Sequence, residues 1–292
     1  MKADDLPIAV PVPVPVPSAP GLNNNNQNYP SYKRVAELDQ NQVSQLKSQG
    51  YSQGLIDTMA SGTQYFPLRI FVIDNSGSMQ KADGNRLVAT KDNSNVRLVS
   101  LSFIPVCFLS LQSLCWWNNA YLTISQLFQV QCTRWQEIQE TVNYHAQMAA
   151  LLNAPTIFRL LNNPGAHVGP QEFGVADKGM DPLVIQRDLE VAKQTMMRDS
   201  PAGVTPLARH VREIRDLVIT MQDDLNNQGN KVAIILATDG LPTNEYGVGG
   251  MSERNDFTQA LQSLQGLPVW VVIRLCTDED DVVDVSLKVH LN

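Results

Sequence analysis

The segment PLRIFVIDNSGS, residues 67–78, carries the clearest structural signal in the sequence. Its first seven residues are mostly apolar and rich in β-branched side chains, with Pro67 at one end and a polar loop after Asp74 at the other. Such a run predicts a buried strand. Ser76 and Ser78 follow at alternate positions around a glycine. Asp74 is therefore a candidate nucleophile, a candidate metal ligand, or only the polar end of a strand whose serines form a turn.

Strands and helices alternate along the rest of the chain. Apolar runs predict further strands at 156–161, 231–240 and 269–275. Amphipathic periodicity and capping residues predict helices at 133–152, 181–197, 205–225 and 252–266. Thr205 is expected to cap its helix, with Pro206 at the first helical position. The alternation predicts an α/β fold with a doubly wound, mostly parallel central sheet flanked by helices.

The N-terminal 62 residues differ in character from the rest. Residues 1–35 hold seven of the 17 prolines and the run NNNNQN, which predicts a disordered low-complexity tail. Residues 36–62 predict two short amphipathic helices separated by Gly50 and Tyr51. The pair resembles the first two helices of a ubiquitin-associated domain, but the third helix is missing. We therefore interpret it as a helical lead-in to the main domain, which is expected over 66–292.

Two features interrupt the expected domain. The segments KADGNRLVAT and SNVRLV predict two short strands or a β-ribbon, with Asp83-Gly84 as a turn signal. An anomalous apolar insert, 99–131, follows, and no charged residue occurs between Leu98 and Thr133. Residues 98–117 have about the minimum length of a transmembrane helix. They contain a proline and a glutamine and lie inside a soluble domain, so we do not expect a membrane span.

A translated intron is the explanation that we prefer for the insert. Val99-Ser100 can be encoded by GTAAGT, a common 5′ splice signal, and Gln131 by CAG, the usual 3′ end. Val285-Ser286 can also be encoded by GTAAGT, so residues 285–292 receive the same interpretation. The domain is then expected to be truncated after residue 284. Sequencing of the transcript across both junctions tests this hypothesis.

Composition narrows the class of function. The formal net charge of −7 disfavours nucleic acid and anionic membranes as partners and favours cations as ligands. The four cysteines form no CxxC pair and no histidine is placed to complete a zinc site, so reduced thiols in an intracellular compartment are expected. The N-terminus lacks the continuous apolar core of a signal peptide. We therefore expect a cytoplasmic protein.

Five oxygen-bearing side chains are expected to meet at one edge of the sheet: Asp74, Ser76, Ser78, Thr205 and Asp239. Both aspartates end parallel strands, and ligands of open parallel sheets bind beyond the carboxyl ends of the strands. The set holds carboxylates and hydroxyls without sulfur or imidazole, which suits Mg²⁺, Mn²⁺ or Ca²⁺ better than zinc or copper. Only two carboxylates would offset the charge of the ion. It would therefore accept a further anionic oxygen, from water or from a partner's carboxylate.

The same motifs resemble a known family. D-N-S-G-S at 74–78, G-V-T-P-L at 203–207 and A-T-D-G at 237–240, in this order in an α/β domain, resemble a von Willebrand factor A domain. The metal-ion-dependent adhesion site of that family has the pattern DxSxS, a separate threonine and a separate aspartate. All five positions match, and the resemblance covers about residues 66–284 without the insert.

The resemblance implies roles for the five residues. Ser76, Ser78 and Thr205 would bind the metal directly or nearly so, and Asp74 and Asp239 often act through water. It implies an intracellular protein-binding module whose ion is completed by an acidic residue of another protein. The proline-rich tail and the resemblance to a ubiquitin-associated domain would fit a role in a cytosolic assembly or a ubiquitin-linked role.

An enzymatic function is the alternative. A Mg²⁺-dependent phosphatase or phosphotransferase, or another metal-dependent hydrolase, would use Asp74 as its nucleophile. Enzymes that resemble haloacid dehalogenases place a second aspartate two residues after the first, and that position here is Ser76. A serine nucleophile has little support because the sequence has no GxSxG motif and no convincing histidine base. We therefore favour the binding module.

Overall fold

The structure is a computed structural model that describes residues 37–90, 99, 100 and 126–276. The expectations for the tail at 1–35, for most of 98–117 and for residues 285–292, with the truncation after 284, lie outside the described residues. The elements in chain order are α1 Gln40–Ser48, α2 Gln53–Tyr65, β1 Leu68–Ile73, a 3₁₀ turn Gly77–Gln80, β2 Gly84–Thr90, β3 Val99–Ser100, β4 Gln126–Cys132, α3 Arg134–Leu152, β5 Thr156–Leu160, β6 Glu172–Val175, α4 Pro182–Arg198, α5 Leu207–Gln228, β7 Val232–Thr238, α6 Met251–Gln262 and β8 Val269–Leu275.

The central sheet is mostly parallel, as predicted. Its five strands lie in the order β6-β5-β1-β7-β8. β1 is parallel to both β5 and β7, and β7 is parallel to β8. The antiparallel edge strand β6, which pairs with β5, was not predicted from the sequence.

Strand order reverses beside β1. The chain passes from β1 to β5 and β6 on one side and then returns to the other side for β7 and β8. The reversal therefore lies between β1 and β7, where Ile73 pairs with Ala237. In open α/β sheets such a switch point forms a crevice at the carboxyl ends of the strands. The next residues of the two strands, Asp74 and Thr238-Asp239, are thus placed at that crevice.

Helices cover both faces of the sheet because the side chains of β1 alternate in direction. Phe71 and Ile73 belong to a buried cluster with residues of α3 and α4. Leu68, Ile70 and Val72 belong to a second cluster with residues of α5 and α6. The predicted helix stripes are confirmed: α3 begins with the Thr133 capping box and buries Trp135, and α4 begins with Asp181 as cap and Pro182 as its first residue.

The two lead-in helices are present and pack on the end of α3. α1 begins with a capping box formed by Asp39 and Gln42. Leu46 of α1 and Ile56 of α2 share a buried cluster with three residues at the end of α3 and just after it: Met148, Leu152 and Ala154.

A small antiparallel sheet, in the order β3-β2-β4, lies outside the central sheet. β2 begins at Gly84, so Asp83-Gly84 lies at the start of this strand instead of joining two strands. β4 pairs with β2 from Gly84 opposite Cys132 to Thr90 opposite Gln126. Residues 126–131, the end of the insert, are therefore part of a paired strand. The hypothesis of a translated intron concerns the transcript and stays a prediction.

The start of α5 differs from the prediction. The helix begins at Leu207 and its N-cap is Pro206, so Thr205 is not the capping residue. The reason is a pair of tertiary hydrogen bonds. The amide N–H of Thr205 donates to Thr243 Oγ1 at 2.9 Å, and the Thr205 carbonyl accepts from the Thr243 amide at 3.0 Å. These bonds hold Thr205 in the loop before the helix. Among the described helices, none is long and apolar enough to cross a membrane.

Candidate metal centre

Asp74 lies fully buried at the carboxyl end of β1. Its amide donates to the carbonyl of Ala237 at 2.9 Å, which extends the β1–β7 ladder by one residue. Its Oδ1 accepts from the Ser76 amide at 2.9 Å, and its Oδ2 accepts from the Thr238 hydroxyl at 2.6 Å. The pKa of the Asp74 carboxyl is raised from 3.8 to about 6, mainly because the group is buried; hydrogen bonds from Ser76 and Thr238 oppose the rise, and the nearby charge of Asp239 adds to it. All its hydrogen-bond donors are uncharged.

Ser76, Ser78 and Asp239 form a continuous chain of oxygens. The hydroxyls of Ser76 and Ser78 lie 3.0 Å apart, and Ser78 donates to Asp239 Oδ1 at 2.7 Å. Ser76 and Asp239 are buried, whereas Ser78 is half-buried and its neighbour Gly77 is exposed. The centre therefore comes nearest to solvent at Ser78, in the turn after β1.

Thr205 reaches the same place from the loop before α5. Its Oγ1 and the Oγ of Ser78 each lie 3.8 Å from the position that a Cβ on Gly240 would occupy. Thr205 is buried, and its backbone is fixed by Thr243 as described above. The structure thus brings all five predicted residues to the crevice between β1 and β7.

Backbone and amide hydrogen bonds fasten these loops together. The Asn75 side chain donates to the Asn162 carbonyl at 3.0 Å and to Asp199 Oδ2 at 2.9 Å. The Asn162 side chain accepts a hydrogen bond from the Val204 amide at 3.1 Å and donates one to the Val204 carbonyl at 2.8 Å. Gly203 has φ +99°, and a Cβ there would lie 2.6 Å from Asn162 Oδ1. A glycine is therefore required where the loop that carries Thr205 passes Asn162.

A buried arginine contacts the second carboxylate. Arg134, the first residue of α3, donates from Nη1 to Asp239 Oδ2 at 2.9 Å. Its Nε and Nη2 donate to the two carboxylate oxygens of Asp83, at 2.7 and 2.5 Å. The Arg134 side chain is 1% exposed, the Asp239 side chain 0% and the Asp83 side chain 54%. The hydrogen bond from Arg134 lowers the pKa of Asp83.

The donor set fits a hard divalent cation. Five side chains supply carboxylate and hydroxyl oxygens, which suit Mg²⁺, Mn²⁺ and Ca²⁺. Within the described ranges, no group of three or more His, Cys, Asp and Glu side chains is placed to hold a metal, so a zinc-type cluster is not found there. The two described cysteines, Cys132 and Cys276, are buried free thiols.

Arg134 and Thr238 were not foreseen as parts of the centre. Thr238 lies inside the A-T-D-G motif, and its place next to the strand end is a signal that sequence reading can use. Arg134 offers no such signal, because its contact with Asp239 spans 105 positions and depends on how α3 approaches the sheet.

No protein-family model matches this chain, and a search of curated proteins finds no match.

Proposed function

We propose that this chain is a protein-binding module of the von Willebrand factor A type. It would hold Mg²⁺, or Mn²⁺ or Ca²⁺, through Asp74, Ser76, Ser78, Thr205 and Asp239, and bind an acidic group of another protein through the ion. The observation that carries the proposal is the chain of oxygens from Ser76 through Ser78 to Asp239, next to Asp74 at the switch point. A cytoplasmic location and a ubiquitin-linked role belong to the same proposal and rest on the sequence alone.

The surroundings of Asp74 favour binding over catalysis. A nucleophilic carboxylate must reach its substrate, but Asp74 is 0% exposed and both of its oxygens accept hydrogen bonds. Ser78 is half-buried, so its side chain is more accessible to solvent than that of Asp74. This arrangement supports an ion that is bound at the solvent side, with Asp74 behind it.

The loop beside Thr205 also supports a protein partner. Residues 241–250 are anchored through Thr243, and the Asn244 side-chain oxygen accepts from the amides of Tyr246 and Val248, at 3.0 Å each. Tyr246 is nevertheless 90% exposed and Val248 is 57% exposed. Exposed aromatic side chains on an ordered loop are typical of protein interfaces.

A titration with Mn²⁺, followed by electron paramagnetic resonance of the free ion, tests the proposed site. We expect one ion per chain, and we expect Ser76→Ala to lose it. Ser61→Ala is the matched control, because Ser61 is an exposed serine on α2 whose hydroxyl donates only to the Asp57 carbonyl. Equal binding by the wild type and Ser76→Ala would contradict the proposed site. Affinity purification with and without EDTA then identifies the partner.

A phosphate-ester assay separates the two classes of function. The binding module predicts that the Mn²⁺-loaded protein does not hydrolyse p-nitrophenyl phosphate. Turnover that requires Mn²⁺ and disappears in Asp74→Asn would favour the enzyme instead.

A further inference from the structure

The centre contains a positive charge of its own. We propose that Arg134 is a positioning residue that takes up the charge of Asp239, so that the centre holds a divalent cation tightly only when an external carboxylate binds with it. This inference rests on the proposed metal site and adds a residue that the motif does not include.

The geometry makes Arg134 a fixed part of the centre. Asp239 uses Oδ2 for Arg134 at 2.9 Å and Oδ1 for the Ser78 hydroxyl at 2.7 Å. Arg134 is also held on its other side by both oxygens of Asp83. Its side chain is 1% exposed, so it lies away from solvent. The guanidinium therefore orients the Asp239 carboxylate and remains beside it when an ion enters.

The balance of charge follows from these contacts. The two buried carboxylates, Asp74 and Asp239, carry two negative charges, and Arg134 carries one positive charge. Counted over the residues that the structure describes, this buried set has one net negative charge, and a divalent ion would leave one net positive charge. Asp83 is half-exposed and lies on the far side of Arg134, so water screens its contribution. An anion that completes the coordination of the ion would neutralise the remaining charge.

Two consequences can be measured. First, a carboxylate and the metal should bind cooperatively, and linkage requires each to strengthen the other by the same factor. Second, removal of the Arg134 charge should strengthen binding of the metal alone and weaken its dependence on the carboxylate. A purely structural role for Arg134 would not strengthen metal binding in any variant.

The test is a Mn²⁺ titration in sodium chloride and in sodium acetate at equal ionic strength. For the wild type we expect acetate to tighten Mn²⁺ binding by about 5-fold or more, within the usual range of coupling between sites. Arg134→Met should bind Mn²⁺ about 10-fold more tightly than the wild type in chloride and should lose most of the acetate effect. Arg134→Lys, which keeps the charge, should stay within about 3-fold of the wild type in both salts.

Asp83→Asn is the matched control, because it removes an outer partner of Arg134 and leaves the Arg134 charge beside Asp239. It should keep the acetate effect. Wild-type affinity that is the same in both salts would overturn the proposal, as would weaker or unchanged Mn²⁺ binding by Arg134→Met. If Arg134→Met does not fold, the wild type and Arg134→Lys still test the proposal. Acetate must then tighten Mn²⁺ binding by both proteins, and its failure to do so would overturn the proposal. Absence of Mn²⁺ binding by the wild type in both salts would instead refute the proposed metal site itself.

Discussion

The two faces of the central sheet and its carboxyl edge use buried groups in different ways. The faces bury apolar side chains such as Phe158 and Val218, which need only close packing. The edge buries Asp74, Asp239 and Arg134, which need partners because a lone buried charge is costly. Asp74 has only uncharged donors, whereas Asp239 has a guanidinium. Packing on the two faces therefore stabilises the fold without help from the edge. At the edge, none of the hydrogen-bond donors to Asp74 carries a positive charge.

The largest effect is expected on an apolar face. Phe158 is 0% exposed, and its ring stacks against Phe71 and Phe173 at centroid distances of 5.2 and 5.6 Å. Phe158→Ala should lower the free energy of unfolding by about 3–5 kcal/mol, because it opens a cavity between three rings. Urea denaturation measures this loss, and it should be the same with and without Mg²⁺. If Mg²⁺ restored the stability of Phe158→Ala, packing on the apolar face would be coupled to metal binding at the carboxyl edge.

The next largest effect is expected at the edge. Arg134→Met in EDTA should lower the free energy of unfolding by about 3 kcal/mol, because it leaves Asp239 buried without its cation. Urea denaturation of the double variant Arg134→Met/Asp239→Asn should recover most of the loss, since no charge is then left unpaired. A double variant as unstable as the single one would show that packing, not charge, explains the effect of Arg134.

A pH dependence is expected from a histidine on the face formed by α5. The pKa of His210 is lowered to about 3, first by burial and then by the positive charges of Arg209 and Arg159, while a hydrogen bond with the Leu161 carbonyl opposes the shift. The unfolded chain takes up this proton near the ordinary pKa of 6.5, before the folded chain does.

Stability from His210 is thus present above pH 6.5 and is lost as the pH falls towards 3. The loss should approach about 1.4 kcal/mol for each pH unit in that range. Urea denaturation between pH 7 and pH 4 should give a flatter profile for His210→Gln than for the wild type. Parallel profiles would show that His210 takes up its proton equally in the folded and unfolded states.

The smallest effect on stability is expected from a hydroxyl at the edge. Ser76→Ala in EDTA should cost about 1 kcal/mol or less, because it removes one hydrogen bond to Ser78, which keeps its bond to Asp239. With Mg²⁺ at about 100 times its dissociation constant, the wild type should gain about 2.7 kcal/mol and Ser76→Ala should gain almost nothing. Thermal denaturation with and without Mg²⁺ measures both numbers. A full gain in Ser76→Ala would remove Ser76 from the site.

Sequence reading succeeded where a local pattern controls the structure. The β1, β5, β7 and β8 strands and the caps of α3 and α4 follow from apolar runs and capping residues, so their positions were predicted within a few residues. The carboxyl ends of β1 and β7 meet because the strands are parallel neighbours, and for the same reason Asp74 and Asp239 were expected together.

Sequence reading failed where distant contacts control the structure. Thr205 has the residue type of a helix cap, but its bonds to Thr243 hold it in the preceding loop. β6 is a short edge strand with little apolar pattern, and β4 arises from a segment that the sequence marked as anomalous. Arg134 reaches Asp239 only because of the packing of α3, which no local pattern encodes.

The most direct test of the central claim is a crystal structure with Mn²⁺, with data collected to record the anomalous scattering of manganese. We predict one anomalous peak in the crevice between β1 and β7, at a coordination distance of about 2.0–2.6 Å from the hydroxyl oxygens of Ser76 and Ser78. Asp74 and Asp239 should lie behind the ion, and the site should face solvent near Gly77. Crystals with saturating Mn²⁺ and no peak at this position would contradict the account.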